Sequence, residues 1–331
     1  MRPSLFMAIA WSVWVAAIGS AAAQAPATGG APGYPAKPIR VINPYTPGGG
    51  IDAILRPLAQ KMSENMKQPL VVDYRTGANG MIGLSAGAKS LPDGYTLVVG
   101  TTSALTMNPA VYSKVPYDSI RDFAPISNFA EAAFMLTAHP SVPAKNVKEL
   151  IALARARPKE VTYASFGVGS INHFGTELFS AMTGIKMLNV PYKGTSPAIA
   201  DLIAGHVMLI FESVQATVPH IRANRLRALG LAGAKRSAAA PDIPTIAESG
   251  VPGFELVSWY ALLAPANTPR DIVTKLHGEI VKGLAASEVR ERFESFGTEP
   301  VGSTPEALAA QIKSDLVKWE KVARTANIRA D

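Results

Sequence analysis

From Lys37 onward the chain alternates short aliphatic runs, rich in β-branched residues, with stretches of helical periodicity. Ile39, Val41 and Ile42 predict a strand over 39–43, closed by Pro44-Tyr45-Thr46-Pro47-Gly48-Gly49-Gly50. Ile51, Ile54, Leu55, Leu58 and Met62 then recur at the spacing of one helix face. A strand over 70–74, a turn at Thr76-Gly77-Ala78-Asn79-Gly80 and a helix of small residues to about Lys89 follow. Pro92-Asp93-Gly94 turns the chain into a strand over 95–99, which ends at Gly100-Thr101-Thr102-Ser103. Strand, turn and helix in this order predict an α/β unit on a mainly parallel sheet.

After a less regular stretch over about 104–130 the rhythm restarts. Strands are predicted over 134–138, 161–165, 187–190, 207–211 and 227–231, with helices over 147–156, 172–182, 198–204 and 214–223. A segment with Pro241, Pro244 and Pro252 precedes one more strand over 256–263, and helices close the chain. Thr268-Pro269-Arg270-Asp271 has an N-cap threonine, an early proline and a first-turn carboxylate. Ser303-Thr304-Pro305-Glu306 is a second start, with capping-box spacing. Two α/β units and a returning strand predict two lobes, with the chain crossing between them more than once. Ligands of open α/β sheets sit beyond the carboxyl ends of strands, so two facing lobes place such ends on both sides of one cleft.

The N-terminus follows another pattern. Met1-Arg2-Pro3 is a short basic start, the stretch from Leu5 to Gly19 is almost wholly apolar or small, and Ala21-Ala22-Ala23-Gln24-Ala25 offers cleavage sites. This is the pattern of a secretory signal peptide, removed after Ala25, and the apolar run is short of the ~20 residues of a membrane span. The mature protein is expected in the periplasm. Removal of residues 1–25 takes away Arg2 and lowers the formal charge from +7 to +6, a mild bias toward anionic solutes. Of the 331 residues 48% are apolar, which argues against disorder. The absence of cysteine excludes disulfides, thiolate-bound metals and a thiol nucleophile.

Little catalytic chemistry is visible. His139, His173, His206, His220 and His277 show no i, i+4 pair and no His-Glu-x-x-His motif, so neither a metal nor a cofactor is expected. Gly83-Leu84-Ser85-Ala86-Gly87 matches the serine-hydrolase motif, but that elbow needs its serine directly after a strand. Here Ser85 falls within a helix, where small residues allow close helix–sheet packing. An exported esterase using Ser85 is the alternative function. Gly167-Val168-Gly169-Ser170-Ile171-Asn172 lacks the third glycine of a dinucleotide fingerprint, and Pro47-Gly48-Gly49-Gly50 lacks the P-loop lysine. The scattered basic residues give no nucleic-acid footprint.

What remains is anion capture by backbone amides. Glycines between a strand and a helix let the main chain approach a ligand closely, and the helix N-terminus offers unpaired N–H donors. Four such junctions occur, at 46–50, 77–80, 167–170 and 193–196, two in each expected lobe. Thr46, Thr101, Thr102, Ser103, Ser170, Lys193 and Thr195 add side-chain donors. Donors without a base, nucleophile or metal suit binding better than catalysis.

From about Tyr34 to its end the chain resembles the periplasmic solute receptors of tripartite tricarboxylate transporters, the Bordetella uptake gene family. The resemblance is carried by residues 44–52, Pro92-Asp93-Gly94-Tyr95-Thr96-Leu97, Pro116-Tyr117-Asp118, Tyr163-Ala164-Ser165 through Gly169-Ser170 with His173, and Val190-Pro191-Tyr192-Lys193-Gly194. Pro241-Asp242-Ile243-Pro244-Thr245, Pro252-Gly253-Phe254-Glu255 and residues 264–269 continue it in family order. It implies a type II periplasmic binding fold, two α/β lobes around a ligand cleft. Lobe 1 is expected over 34–131 and 250–331, and lobe 2 over 132–249. It also implies a ligand carboxylate held, partly through water, at Thr46, Gly48, Gly49 and Gly50 and at Ser165, Gly167, Gly169 and Ser170. His173, Tyr192, Lys193, Gly194 and Thr195 are further candidates. Tyr45 stands where the family usually has phenylalanine, and Asn79 interrupts a usual Gly-Ala-Gly-Gly turn; both bear on which acid fits. Glu212, Ser213 and Trp259 are expected opposite the carboxylate. The implied partners are a small-molecule carboxylate and the permease subunits of the transporter, with no nucleic acid and a monomeric receptor. A receptor that feeds a sensor is a third reading.

Overall fold

The computed structural model describes residues 33–48, 50–237 and 239–330. The expected leader over 1–25 and the candidate residue Gly49 lie outside the described residues.

The first parallel group is β1 (Ile39–Asn43), β2 (Leu70–Tyr74) and β3 (Thr96–Thr101), in the order β2-β1-β3, with α1 (Gly50–Met66) and α2 (Met81–Ala88) between its strands. α1 buries Ile54, Leu55, Leu58 and Met62, the stripe its periodicity predicts. A single π turn over Ser103–Met107 and the short α3 (Asn108–Val111) lead to β4 (Phe123–Ala138). Then come α4 (Val147–Ala156), β5 (Thr162–Ser165), α5 (Ile171–Thr183), β6 (Leu188–Pro191), α6 (Thr195–Ala204), β7 (Leu209–Ser213), α7 (Val214–Arg222) and β8 (Arg227–Leu231). β6, β5 and β7 form the second parallel group. β9 (Val257–Pro265), α8 (Arg270–Ala285), α9 (Ser287–Ser295), β10 (Thr298–Pro300) and α10 (Pro305–Thr325) complete the chain.

The sheet is mixed, not mainly parallel. Two return strands join the parallel groups, and both run antiparallel to their neighbours. β3 pairs with β9, and β9 pairs with β4 from Phe123 to Ala133. β7 and β8 take over the pairing of β4 from Phe134 or Met135 to Ala138. β4 is therefore 16 residues long, where the sequence predicts a strand only over 134–138. Pro125 and the polar pair Ser127 and Asn128 break its apolar run, and the register shifts at 125/127 and 128/130 absorb them. Both residues are buried and bonded to Ser303, just before α10, Ser127 through its side chain and Asn128 through its backbone. The Ser127 hydroxyl donates to the Ser303 carbonyl (2.8 Å), and the Asn128 N–H donates to the Ser303 hydroxyl (2.9 Å).

That use of Ser303 corrects the expected capping box: Thr304 caps α10 instead, accepting the Ala307 N–H at 3.2 Å. Thr268 likewise does not cap α8. Its hydroxyl donates to the Pro265 carbonyl, and the cap position falls to Pro269.

Among the described residues five apolar clusters hold the layers together, three of them large. Leu58, Phe129, Leu262 and Ile280 belong to one, and Phe174, Phe179, Phe211, Phe254 and Trp319 to another. α10 belongs to more than one cluster. Leu308 and Ile312 pack with Trp259, while Trp319 meets the Phe174 ring edge-on at 5.5 Å.

Candidate functional site

The strand register brings the two sets of carboxyl ends toward one stretch of β4. Thr101, the last residue of β3, lies beside Tyr260, and Tyr260 lies beside Ala130. From the other side Ser213, the last residue of β7, lies beside Phe134, and Glu212 beside Met135. Residues 130–135 are thus flanked by the helix-ward turns of both parallel groups. Surface cavities of about 460 Å³ (Ser237, Glu294, Glu299) and 420 Å³ (Leu178, Met182, Lys321) are lined by none of the candidate residues.

On the first side the turns after β1, β2 and β3 interlock. The Tyr45 hydroxyl bonds the Thr101 hydroxyl at 2.7 Å, and burial pushes its pKa up to about 12. The phenol also lies over Gly80, whose positive φ of 87° and close neighbours leave little room for a side chain. Asn79 and Asn108 clasp each other, amide to amide at 2.7 Å and amide to backbone at 3.0 Å. The Thr101 hydroxyl accepts the Ala104 N–H. Thr46 and Gly50 are exposed. Ser103 is half-buried at the start of the π turn.

Two residues depart from the reading of this loop. The Gly48 N–H is engaged by the chain itself, donating to Asp52 at 2.9 Å. Thr102 is fully buried: its hydroxyl accepts the Trp259 N–H at 2.9 Å, and its carbonyl accepts the Thr106 hydroxyl. Thr102 already has helical backbone angles and caps the π turn, which takes its side chain into the core.

On the second side Ser170 closes the turn after β5. Its hydroxyl accepts the Phe166 and His173 N–H groups (both 3.3 Å) and donates to the Gly167 carbonyl (2.7 Å). Gly167 and Gly169 hold φ of 92° and 83°, which L side chains rarely adopt. Gly169 also packs near Val111, 3.2 Å from where a Cβ would stand. The Ser165 hydroxyl accepts the Gly167 N–H, and its carbonyl accepts that of Tyr192. His173 is 9% exposed and stacks on Tyr163. Burial lowers its pKa, so the ring is neutral at pH 7 and provides no fixed positive charge. The Tyr192 hydroxyl is bonded to Asp201 at 2.9 Å. Lys193 is exposed, Gly194 caps α6, and the Thr195 hydroxyl donates to Glu212.

Glu212 and Ser213 end β7, whereas Trp259 turns into the core. Its indole N–H donates to Asp315 of α10, and its ring packs with Leu308 and Ile312. The next residue, Tyr260, takes the other face, beside Thr101 of β3. A uniformly apolar strand gives no signal of which aromatic faces which way. Asn43 is a second omission: it ends β1, accepts the Tyr45 N–H, and its buried amide nitrogen has no hydrogen-bond partner.

Ser85 sits in the middle of α2, and the glycines around it serve packing. A Cβ on Gly83 would stand 2.9 Å from Pro44 and the Arg75 carbonyl, and one on Gly87 2.8 Å from Val98. The esterase reading has no support in this geometry.

The family model described as tripartite tricarboxylate transporter family receptor matches residues 54–328. The chain is 38% identical over 292 residues to protein BugT of Bordetella pertussis, covering 88% of this chain and 90% of that one. Among solved structures, Rhodopseudomonas palustris Rpa4515 with adipate is 37% identical, with a TM-score of 0.78 over 89% of this chain and 99% of that one. MatC from the same organism with bound malate is 29% identical, with a TM-score of 0.74 over 87% and 99%.

Proposed function

This chain belongs to the tripartite tricarboxylate transporter receptors, and on that footing we propose that the space above residues 130–135 of β4 is the cleft in which it captures a small organic carboxylate. The chain is a solute-binding receptor and not an enzyme. The observation that carries the reading is the register: the carboxyl ends of β3 and β7 converge on one stretch of one strand, and the glycine-bearing turns after β1, β2, β5 and β6 lie at the same ends of the two parallel groups.

One carboxylate of the solute sits against the amides of the turns at 46–50 and 167–170, whose glycines let the backbone approach closely. Tyr45, Asn79, Thr101, Thr195 and Lys193 border it. Lobe 1, residues 34–131 and 250–331, and lobe 2, residues 132–249, close about the crossing strands β4 and β9, and the permease subunits read the closed form. The receptor works as a monomer in the periplasm after loss of residues 1–25. Adipate and malate, the ligands of the two related structures, define the class of solute to try first.

A thermal-shift and calorimetric screen of di- and tricarboxylates, aromatic acids and acidic amino acids tests the reading. A bound solute at 100 times its Kd stabilises the folded state by about 2.7 kcal/mol, a plain rise in melting temperature. No shift and no heat across the panel sinks the proposal.

A further inference from the structure

Glu212 is a carboxyl group that solute capture by backbone amides leaves unused. It is 4% exposed, one residue from the end of β7, in register with Met135 of β4. Its two oxygens are not equivalent. Oε1 accepts the Ser213 N–H at 2.7 Å, a fixed backbone donor. Oε2 accepts from the rotatable Thr195 hydroxyl, at 3.3 Å, and the Ser213 hydroxyl also bonds the carboxyl. No basic side chain pairs with Glu212 among the described residues.

Its surroundings are uniformly poor in charge. From β4 its register partner is Met135, from α6 comes Thr195, and from the end of β7 itself the Ser213 amide. From β9 comes the Tyr260 phenol, with Tyr45 beyond it. Lys193 is exposed two residues before Thr195, and His173 on α5 is neutral. Burial pushes the Glu212 pKa up, and the hydrogen bonds from Ser213 and Thr195 pull the other way without cancelling it.

Building on the cleft reading above, we propose that Glu212 is a specificity-determining residue that meets the solute as a neutral acid, donating its Oε2 proton to an acceptor oxygen at the far end. An acid donating to a carboxylate makes a short, charge-assisted bond, whereas an ionised Glu212 would face a second carboxylate with like charge in a buried setting. The receptor therefore prefers solutes with a second carboxylate to those ending in an ammonium. Binding is linked to a proton. Where free Glu212 ionises, the proton is taken up with the solute, and affinity falls as pH rises, by up to tenfold per unit.

The test uses the mature receptor and Glu212→Gln, whose amide keeps the shape and a donor. Adipate, 6-aminohexanoate and hexanoate form one probe set, and succinate with 4-aminobutyrate a second. Titration calorimetry from about pH 6.5 to 9 keeps the probes' carboxylates and ammonium groups at constant charge. We expect the dicarboxylates to bind at least tenfold tighter than their amino counterparts. Wild-type affinity should fall with pH, with proton uptake seen in buffers of different ionisation enthalpy. Glu212→Gln should bind within a few-fold of wild type at the low end and lose the pH slope. Tighter binding of the amino acids, lost in Glu212→Gln, would overturn the assignment, as would dicarboxylate binding without any pH slope. If only monoacids bind, this inference falls and the carboxylate receptor stands. If no carboxylate binds at all, both fall.

Discussion

Asp52 shows how much of the first glycine loop is held by the chain's own chemistry. It sits in the first turn of α1, 3% exposed, where the helix dipole favours a negative charge. It accepts hydrogen bonds from the Gly48 N–H (2.9 Å), the Tyr74 hydroxyl (2.6 Å) and Arg56 Nε (2.9 Å). Burial alone would raise its pKa. The bonds from Tyr74, Gly48 and Arg56, with the Arg56 charge, outweigh burial and hold the carboxyl below its usual range. A group with a depressed folded pKa adds stability above its unfolded pKa, ~3.9, and that stability is lost as pH falls through the folded value. Asp52→Asn should therefore lower the unfolding free energy at pH 7 by about 1–3 kcal/mol. The gap should narrow in acid, where wild type loses the same charge. Urea unfolding at neutral and acidic pH measures both, and an unchanged neutral midpoint would remove Asp52 as the loop's anchor.

At the scale of elements, α2 is set by contact distance more than by helix propensity. Gly83 and Gly87 bring it against the turn after β1 and against β3, and at Gly83 the obstructing atoms include backbone. Backbone cannot rotate out of the way as a side-chain tip can, so a methyl there pushes the helix off the loop that carries Tyr45 and Thr46. Gly83→Ala should cost about 1–3 kcal/mol by overpacking. Gly278, inside α8, has no atom within 4 Å of where its Cβ would stand. Gly278→Ala should instead gain about 0.4–1 kcal/mol, from helix propensity and a less flexible unfolded chain. Chemical denaturation of the two variants side by side separates contact from propensity; equal shifts would mean that the close approach at Gly83 is not tight.

The whole molecule is tied together across the middle of β4. β4 changes partners between Ala133 and Phe134, β9 starts beside it, and α10 packs with Trp259 at one end and with Phe174 of α5 at the other. Connections of this kind couple the unfolding of the two parallel groups. Loss of secondary structure by circular dichroism and loss of tryptophan fluorescence should coincide in one transition. Trp319→Ala, which empties a site 1% exposed, should move that whole transition by about 3–5 kcal/mol. Two separated transitions would mean that α10 belongs energetically to one half only.

By itself the sequence determined the local elements and the turns. The helix over 147–156 and the strands over 39–43, 70–74 and 227–231 were readable to the residue, because a core-facing period and a turn at each end bound them. The glycine turns were legible as turns for the same reason: positive φ is a local demand that glycine meets. Tertiary structure decided what no local pattern encodes. It made β4 one long strand, because buried Ser127 and Asn128 find a partner 176 and 175 residues away at Ser303. It turned Trp259 into the core and left Tyr260 on the other face, since a strand's parity is set by what packs on each side. It also gave the Gly48 amide to Asp52 and set Glu212 beside Met135 of β4. Contacts between residues far apart in sequence depend on how strands are ordered and paired, and that order is a property of the folded sheet, not of any window of the chain.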